Sequence, residues 1–154
     1  MNIGIIVHSH TGHTLAVAKE LQKALSAAGH AVTLAQVEPA GPVSSSATRA
    51  ELKTRPAIDA YDALVFGSPV WGGRMSAPMN SYLEQIASLQ GKKVACLVTN
   101  FFVRGWGGDQ TLKLMQEACA AKGATVCGLE SVRWFSLSRK RRIAQVVDSL
   151  SKLF

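Results

Sequence analysis

The chain has 154 residues, 47% of them hydrophobic and 18% charged, and carries a formal net charge of +7. That length suits one domain over residues 1–154, and that much apolar material excludes wholesale disorder. No apolar run approaches the roughly 20 residues of a membrane-spanning helix, MNIGIIVHSH lacks the basic flank and cleavage site of a signal peptide, and three widely spaced cysteines (Cys96, Cys119, Cys127) suit a reducing cytoplasm better than a disulfide framework.

Ile3 to Val7 is a short β-branched run that ends in a polar, glycine-containing turn, as a buried parallel strand does. From Thr14 the period changes: Leu15, Ala18, Leu21, Leu25 and Ala28 recur at helical spacing until Gly29 stops them. Ala31 to Val37 reads as a second strand. The stretch EPAGPVSSSATRAELKTRP then predicts an exposed connection with one short helix near Thr48 to Lys53. Ala63 to Gly67 is a third strand, and SPVWGGR after it reads as a loop. Ser76 and Pro78 open a helix with Met79, Leu83, Ile86 and Leu89 on one face.

Lys93 to Thr99 is a fourth strand, followed by a third glycine-rich loop, NFFVRGWGG. Asp109 is placed to cap the next helix, which turns Leu112, Met115 and Cys119 inward and stops at Gly123. Ala124 to Val132 is a fifth strand. The last helix carries Ile143, Val146, Val147, Leu150 and Leu153 at i, i+3, i+4, i+7 and i+10. This alternation predicts a doubly wound parallel sheet with helices on both faces. Ligands bind such sheets at the carboxyl ends of the strands, where Ser9 to His13, Ser68 to Arg74 and Asn100 to Gly108 form three loops.

The first loop admits two chemistries. His8, His10 and His13 with a water would make a catalytic zinc site. No cysteine or carboxylate lies nearby in sequence to help, however, and alternation along the strand end starts His8 and His10 on one side while the turn carries His13 elsewhere. A glycine-containing turn that enters a helix instead aims free backbone N–H groups and the positive end of the helix dipole at one point. Hydroxyls of Ser9, Thr11 and Thr14 add donors. The anion reading outweighs the metal reading, with a plain capped strand–turn–helix as the alternative for this loop alone. The spacing matches neither GxxxxGK[ST] nor GxGxxG. Protonated imidazoles beside a phosphate would add charge below about pH 6.5.

S-x-T-G-x-T after the first strand, GSPVWGG after the third and an aromatic, glycine-rich loop after the fourth together resemble the flavodoxin family over nearly the whole chain. The resemblance implies a three-layer α/β/α fold around a five-stranded parallel sheet of order 2-1-3-4-5, with FMN bound noncovalently. Carried over, Ser9, His10, Thr11, Gly12, His13 and Thr14 would wrap the FMN phosphate. Pro69, Val70, Trp71, Gly72 and Gly73 would line one side of the isoalloxazine ring. Thr99, Asn100, Phe101, Phe102, Arg104, Gly105, Trp106 and Gly107 would close the other. Flat apolar rings stack on aromatic side chains, and Trp71, Phe101, Phe102 and Trp106 all fall in the two flanking loops. Gly72 and Gly73 would also let a peptide reorient beside flavin N5, a flip that in flavodoxins steadies the one-electron state.

Two departures matter. Many flavodoxins carry acids and a tyrosine in the third loop. Here it reads NFFVRGWGGD, with Arg104 inside, and which aromatic stacks on the second face stays open. Many are also acidic overall, whereas this chain is basic. The expected consequences are a less reducing second electron step and an acidic redox protein partner. Arg133, Arg139, Lys140, Arg141 and Arg142 concentrate charge at the start of the last helix, against its dipole. They read either as a solvated run or as the docking patch for that partner. Nucleic acid is the weaker partner, because no aromatics interleave with the charge.

The leading function on this reading is an FMN-binding electron carrier with no catalytic residues of its own. The alternative is an FMN-dependent NAD(P)H oxidoreductase acting on a quinone or related acceptor. A third is a binding module that kept the fold and lost efficient flavin binding. A hydrolase is not indicated, since no GxSxG elbow is present and Glu38, Glu51, Asp59 and Asp62 are scattered through connections.

Overall fold

The computed structural model of the chain describes residues 1–101 and 107–154. Phe102, Arg104, Gly105 and Trp106 of the third loop therefore lie outside the described residues. The elements run β1 (Asn2–Val7), α1 (His13–Ala27), β2 (Ala31–Gln36), β3 (Ala63–Trp71), β4 (Arg74–Met75), α2 (Ala77–Gln85), β5 (Lys93–Asn100), α3 (Gly108–Ala121), β6 (Thr125–Arg133) and α4 (Arg139–Ser151). The long strands pair in parallel in the order β2-β1-β3-β5-β6, with the two-residue β4 antiparallel to the end of β3. With β4 set aside, this is the 2-1-3-4-5 order of a flavodoxin-like three-layer α/β/α fold.

The continuous apolar runs of β1, β3 and β5 are buried on both faces, as parallel strands between two helix layers must be. Alternation divides them. Ile3, Ile5, Val7, Ala63, Val65, Ala95 and Leu97 face Val17, Ala18, Leu21 and Leu25 of α1 and Val146 and Leu150 of α4. Ile6, Leu64, Phe66, Val94, Cys96 and Val98 face Met79, Tyr82 and Leu83 of α2 and Leu112, Met115 and Cys119 of α3.

The connection from β2 to β3 contains no helix, contrary to expectation at Thr48 to Lys53. It is extended, closed by an antiparallel bridge between Pro39 and Leu52. Pro39, Pro42 and Pro56 disfavour helical conformation in the residues before them, while Val37, Leu52 and Ile58 still bury themselves in the α2–α3 side of the core. Two other boundaries move. The helix opened by Ser76, whose Oγ accepts from Met79 N–H, ends at Gln85; Ile86 is extended, and Leu89 reaches the core from beyond the helix. Helix α3 is capped by Gly107 rather than Asp109, which sits in the first turn, where a carboxylate favours the dipole.

Candidate functional site

The first turn begins where β1 stops. His8 N–H donates to Gly67 O at 3.0 Å, holding the turn to β3. Gly12, at φ 88°, is the N-cap residue of α1 and has no side chain to cap it. Ser9 Oγ accepts from Leu15 N–H at 3.3 Å and Gly12 O accepts from Ala16 N–H at 2.9 Å. Among the described residues no acceptor meets the N–H groups of His10 through Thr14. The turn therefore offers a run of free amide donors at a positive helix end. The Thr14 hydroxyl does not join them: buried, it bonds Thr99 Oγ1 at 2.8 Å and ties α1 to the end of β5.

The three imidazoles diverge. His8 is 4% exposed, with Nδ1 2.7 Å from Ser76 Oγ. His10 stands edge-on to Trp71 with ring centroids 6.2 Å apart. His13 stacks on Trp134 at 4.0 Å and meets Phe101 edge-on at 5.2 Å. Burial, with a smaller contribution from His10, holds His8 down to about 4. Burial and then Arg139 push His13 below its ordinary value. The expected gain of imidazolium charge near neutral pH is thus corrected for these two: desolvation disfavours their charged forms. Among the described residues no group of three or more His, Cys, Asp or Glu is placed to hold a metal ion.

The second turn is a hairpin rather than an open loop. Strand β3 continues through Ser68, Pro69, Val70 and Trp71, then turns at Gly72 (φ 58°) and Gly73 (φ 78°) so that Val70 pairs with Met75 and Trp71 with Arg74. A two-residue turn with both φ positive matches the strand twist and demands residues without a Cβ. Trp71 meets His8 edge-on at 5.5 Å, so the first two turns share one aromatic contact. Beneath it, Ser76 N–H donates to Ser68 Oγ at 2.9 Å, and Ser68 Oγ donates to Pro69 O at 2.8 Å. His8, Ser76 and Ser68 thus form a buried polar network under the indole.

The third turn begins at Thr99 and Asn100, both buried at the end of β5. The Asn100 carbonyl accepts from Trp134 N–H at 2.8 Å. Its side-chain Oδ1 is buried without a hydrogen-bond partner among the described residues. Gly107 closes the turn against the hairpin, with its missing Cβ directed at the Gly73 backbone. A cleft of ≈ 430 Å³ lies between these turns, lined by Val70, Gly72, Gly73, Asn100, Phe101, Gly107 and Gln110.

A fourth segment escaped the sequence reading. Trp134 lies between His13 and Arg139, whose guanidinium carbon sits 4.4 Å from the indole centroid. Phe135, 64% exposed, packs against Phe101 at 5.5 Å. The signal was the WF pair between the fifth strand and the basic run. That run is only partly solvated: Arg139 donates to Trp134 O, and Arg142 to Ser131 O and Glu130. Lys140 and Arg141 are exposed.

The sequence profile of the family described as NADPH-dependent FMN reductase matches residues 1–131. The chain belongs to this family. FMN is the cofactor that membership implies. A curated relative from Archaeoglobus fulgidus, an NAD(P)H dehydrogenase (quinone), is 29% identical over 143 residues, covering 81% of this chain and 74% of its own. Among solved structures, the oxidised Flavodoxin 2 of Bacillus cereus superposes with a TM-score of 0.71 at 22% identity, covering 100% of both chains. A flavoprotein in complex with FMN from Lactobacillus acidophilus NCFM gives a TM-score of 0.69 at 20% identity, covering 94% of this chain and 97% of that one. These likenesses describe the fold. No helix among the described residues is long and apolar enough to cross a membrane.

Proposed function

We propose that this reductase-family protein is an FMN-dependent NAD(P)H oxidoreductase that passes electrons to a quinone or related acceptor. The observation that carries the reading is the meeting of three turns at one sheet end: free amides at His10 to Thr14, the Gly72–Gly73 hairpin beside Trp71, and the Asn100–Gly107 turn. The preference for an enzyme over a carrier rests on the family and on the curated relative.

The residues fit FMN. A phosphate needs several donors and a positive helix end, which the first turn offers. A flat tricycle needs a narrow cleft with an aromatic wall; Phe101 lines the cleft, and Trp71 stands beside it at the end of β3, next to Gly72. Among the described residues the buried Asn100 Oδ1 has no donor, and a flavin ring N–H is one. In this reading the amides of His10 to Thr14 hold the phosphate. The His8–Ser76–Ser68 network fixes Trp71 in place, and Gly107 packs its backbone against Gly73, closing the hairpin onto the third loop. Bound FMN would supply the redox chemistry, accepting a hydride from nicotinamide and delivering electrons to the acceptor. His8 stays neutral at pH 7 and acts as a hydrogen-bonded support.

The test mixes FMN-loaded protein with NADPH or NADH without oxygen and without any other protein. Rapid loss of the yellow flavin absorbance supports the oxidoreductase. The exposed Lys140 and Arg141 beside Phe135 favour a second reading, an electron carrier that docks an acidic redox protein. Bleaching that requires an added reductase would select that reading.

A further inference from the structure

The end of β6 and the first turn of α4 enclose a second cavity of ≈ 420 Å³, separate from the cleft beside Gly73. Three guanidinium groups (Arg133, Arg141, Arg142) and three hydroxyls (Ser131, Ser136, Ser138) line it, and no carboxylate does among the described residues. Arg142 is fixed in place, with Nε donating to Ser131 O at 3.0 Å and Nη2 to Glu130 at 2.9 Å. The hydroxyls of Ser136 and Ser138 lie 3.0 Å apart on one wall. Ser138 does not cap α4 with its side chain, and no acid occupies the first turn. Cations therefore gather at the positive end of the helix, where Glu130 pairs with Arg142 and no acid of the first turn offsets Arg141. A concave set of guanidinium forks and hydroxyls matches a tetrahedral dianion with several acceptor oxygens better than a single carboxylate.

The cavity also adjoins the cleft. Asn100, which lines the cleft, pairs in register with Arg133, and its carbonyl accepts from Trp134 N–H. A Cβ built on Gly108 would lie 3.4 Å from Asn100 Nδ2 and 3.9 Å from Ser131 Cβ, so Gly108 sits between a residue of the cleft and one of the cavity. We propose that this cavity, through Arg141, Arg142 and the hydroxyls of Ser131, Ser136 and Ser138, seats the ribose 2′-phosphate of NADPH and so distinguishes it from NADH. The inference rests on the reading above that a nicotinamide nucleotide is the electron donor. It adds which side chains read the phosphate.

Arg141→Ala is the informative variant, because Arg141 is exposed and makes no hydrogen bond or ion pair among the described residues. In the FMN-loaded protein it should lower the NADPH-to-NADH ratio of kcat/KM roughly tenfold or more. Lys19→Ala, an exposed change on α1, should leave the ratio alone. Calorimetry with adenosine 2′,5′-bisphosphate and with 5′-AMP tests the cavity without turnover. The wild type should bind the bisphosphate more tightly, and Arg141→Ala should erase the difference. An unchanged ratio in Arg141→Ala overturns the assignment, as does equal binding of the two nucleotides by the wild type. Inorganic phosphate binding as tightly as the bisphosphate, and lost in the same variant, would make the cavity a free-phosphate site and also overturn it. If neither nicotinamide nucleotide bleaches the flavin, the donor reading fails, and the calorimetry still decides the cavity on its own.

Discussion

Gly107 and Gly73 pack backbone against backbone: a Cβ built on Gly107 would lie 2.7 Å from Gly73 Cα and 3.2 Å from Gly73 N. Both residues have positive φ, so neither position accepts a side chain without strain, and together they hold the hairpin against the third turn. Gly107→Ala should cost about 1–3 kcal/mol from the left-handed backbone, with the clash added, and should weaken FMN binding by distorting the cleft. Gly72→Asn should be tolerated much better, since nothing lies within 4 Å of its missing Cβ and asparagine accepts the left-handed region. Comparable losses in both variants, read by urea unfolding and flavin-fluorescence titration, would refute the contact argument.

Backbone amides rather than hydroxyl side chains are the expected phosphate donors. FMN should therefore bind far more tightly than riboflavin, and Thr14→Val should preserve that preference. The same substitution should cost about 1–3 kcal/mol of stability, because it leaves the buried Thr99 hydroxyl without its partner. A collapse of the FMN-to-riboflavin ratio in Thr14→Val would return the hydroxyl to the phosphate site.

Asn100 sets function against stability. Its buried Oδ1 lacks a partner among the described residues, so Asn100→Leu should leave the apoprotein at least as stable as the wild type. Flavin affinity should fall roughly tenfold as the acceptor is lost. Equal affinity in the variant would remove Asn100 from the flavin's surroundings.

His8 gives acid sensitivity a definite sign. Its folded value is depressed to about 4 from an ordinary 6.5. The unfolded chain then binds the proton first, so the contribution is complete above pH 6.5 and is lost as pH falls toward 4. At about 1.4 kcal/mol per pH unit of depression, the loss is at most about 3.5 kcal/mol. Replacing His8 with glutamine should flatten unfolding free energy between pH 4.5 and 6.5, a window set by that shift. A variant whose stability falls as steeply as the wild type's would assign the sensitivity to other groups.

Arg139 is expected to act as a structural residue despite its place in a charge run. Arg139→Ala removes the contact over Trp134 and the hydrogen bond to Trp134 O, at a cost of about 1–2 kcal/mol. Lys140→Ala, which removes an exposed charge, should change stability by less than about 0.5 kcal/mol. Thermal unfolding of the two variants side by side separates these outcomes.

A parallel sheet with helices on both faces was readable before any coordinates because each strand and helix carries its own period. Ala18, Leu21 and Leu25 needed only 3.6-residue spacing, whereas that stripe left out the buried Val17 and included Ala28, which is exposed past the end of the helix. The segment from Pro39 to Pro56 misled, because helix-forming residues such as Ala50, Glu51 and Leu52 invite a local assignment that the flanking prolines and the Pro39–Leu52 bridge override. The SPVWGGR stretch was read as a loop because a proline and two glycines break a strand locally. Only the register of Pro69 with Thr99 shows that β3 continues to its hairpin.

Sequence by itself determined which residues alternate, where the chain turns, and that three glycine-bearing turns leave the same end of a parallel sheet. Those are properties of neighbours along the chain, set by side-chain periodicity and the backbone freedom of glycine. Tertiary structure decided what each polar group meets. It turned Thr14 toward Thr99, set His8 on Ser76, stacked His13 on Trp134, left Asn100 Oδ1 without a partner among the described residues and set Arg141 and Arg142 along one cavity. Hydrogen bonds and desolvation depend on distance in space, and residues 68 or 85 positions apart become neighbours only when the sheet forms.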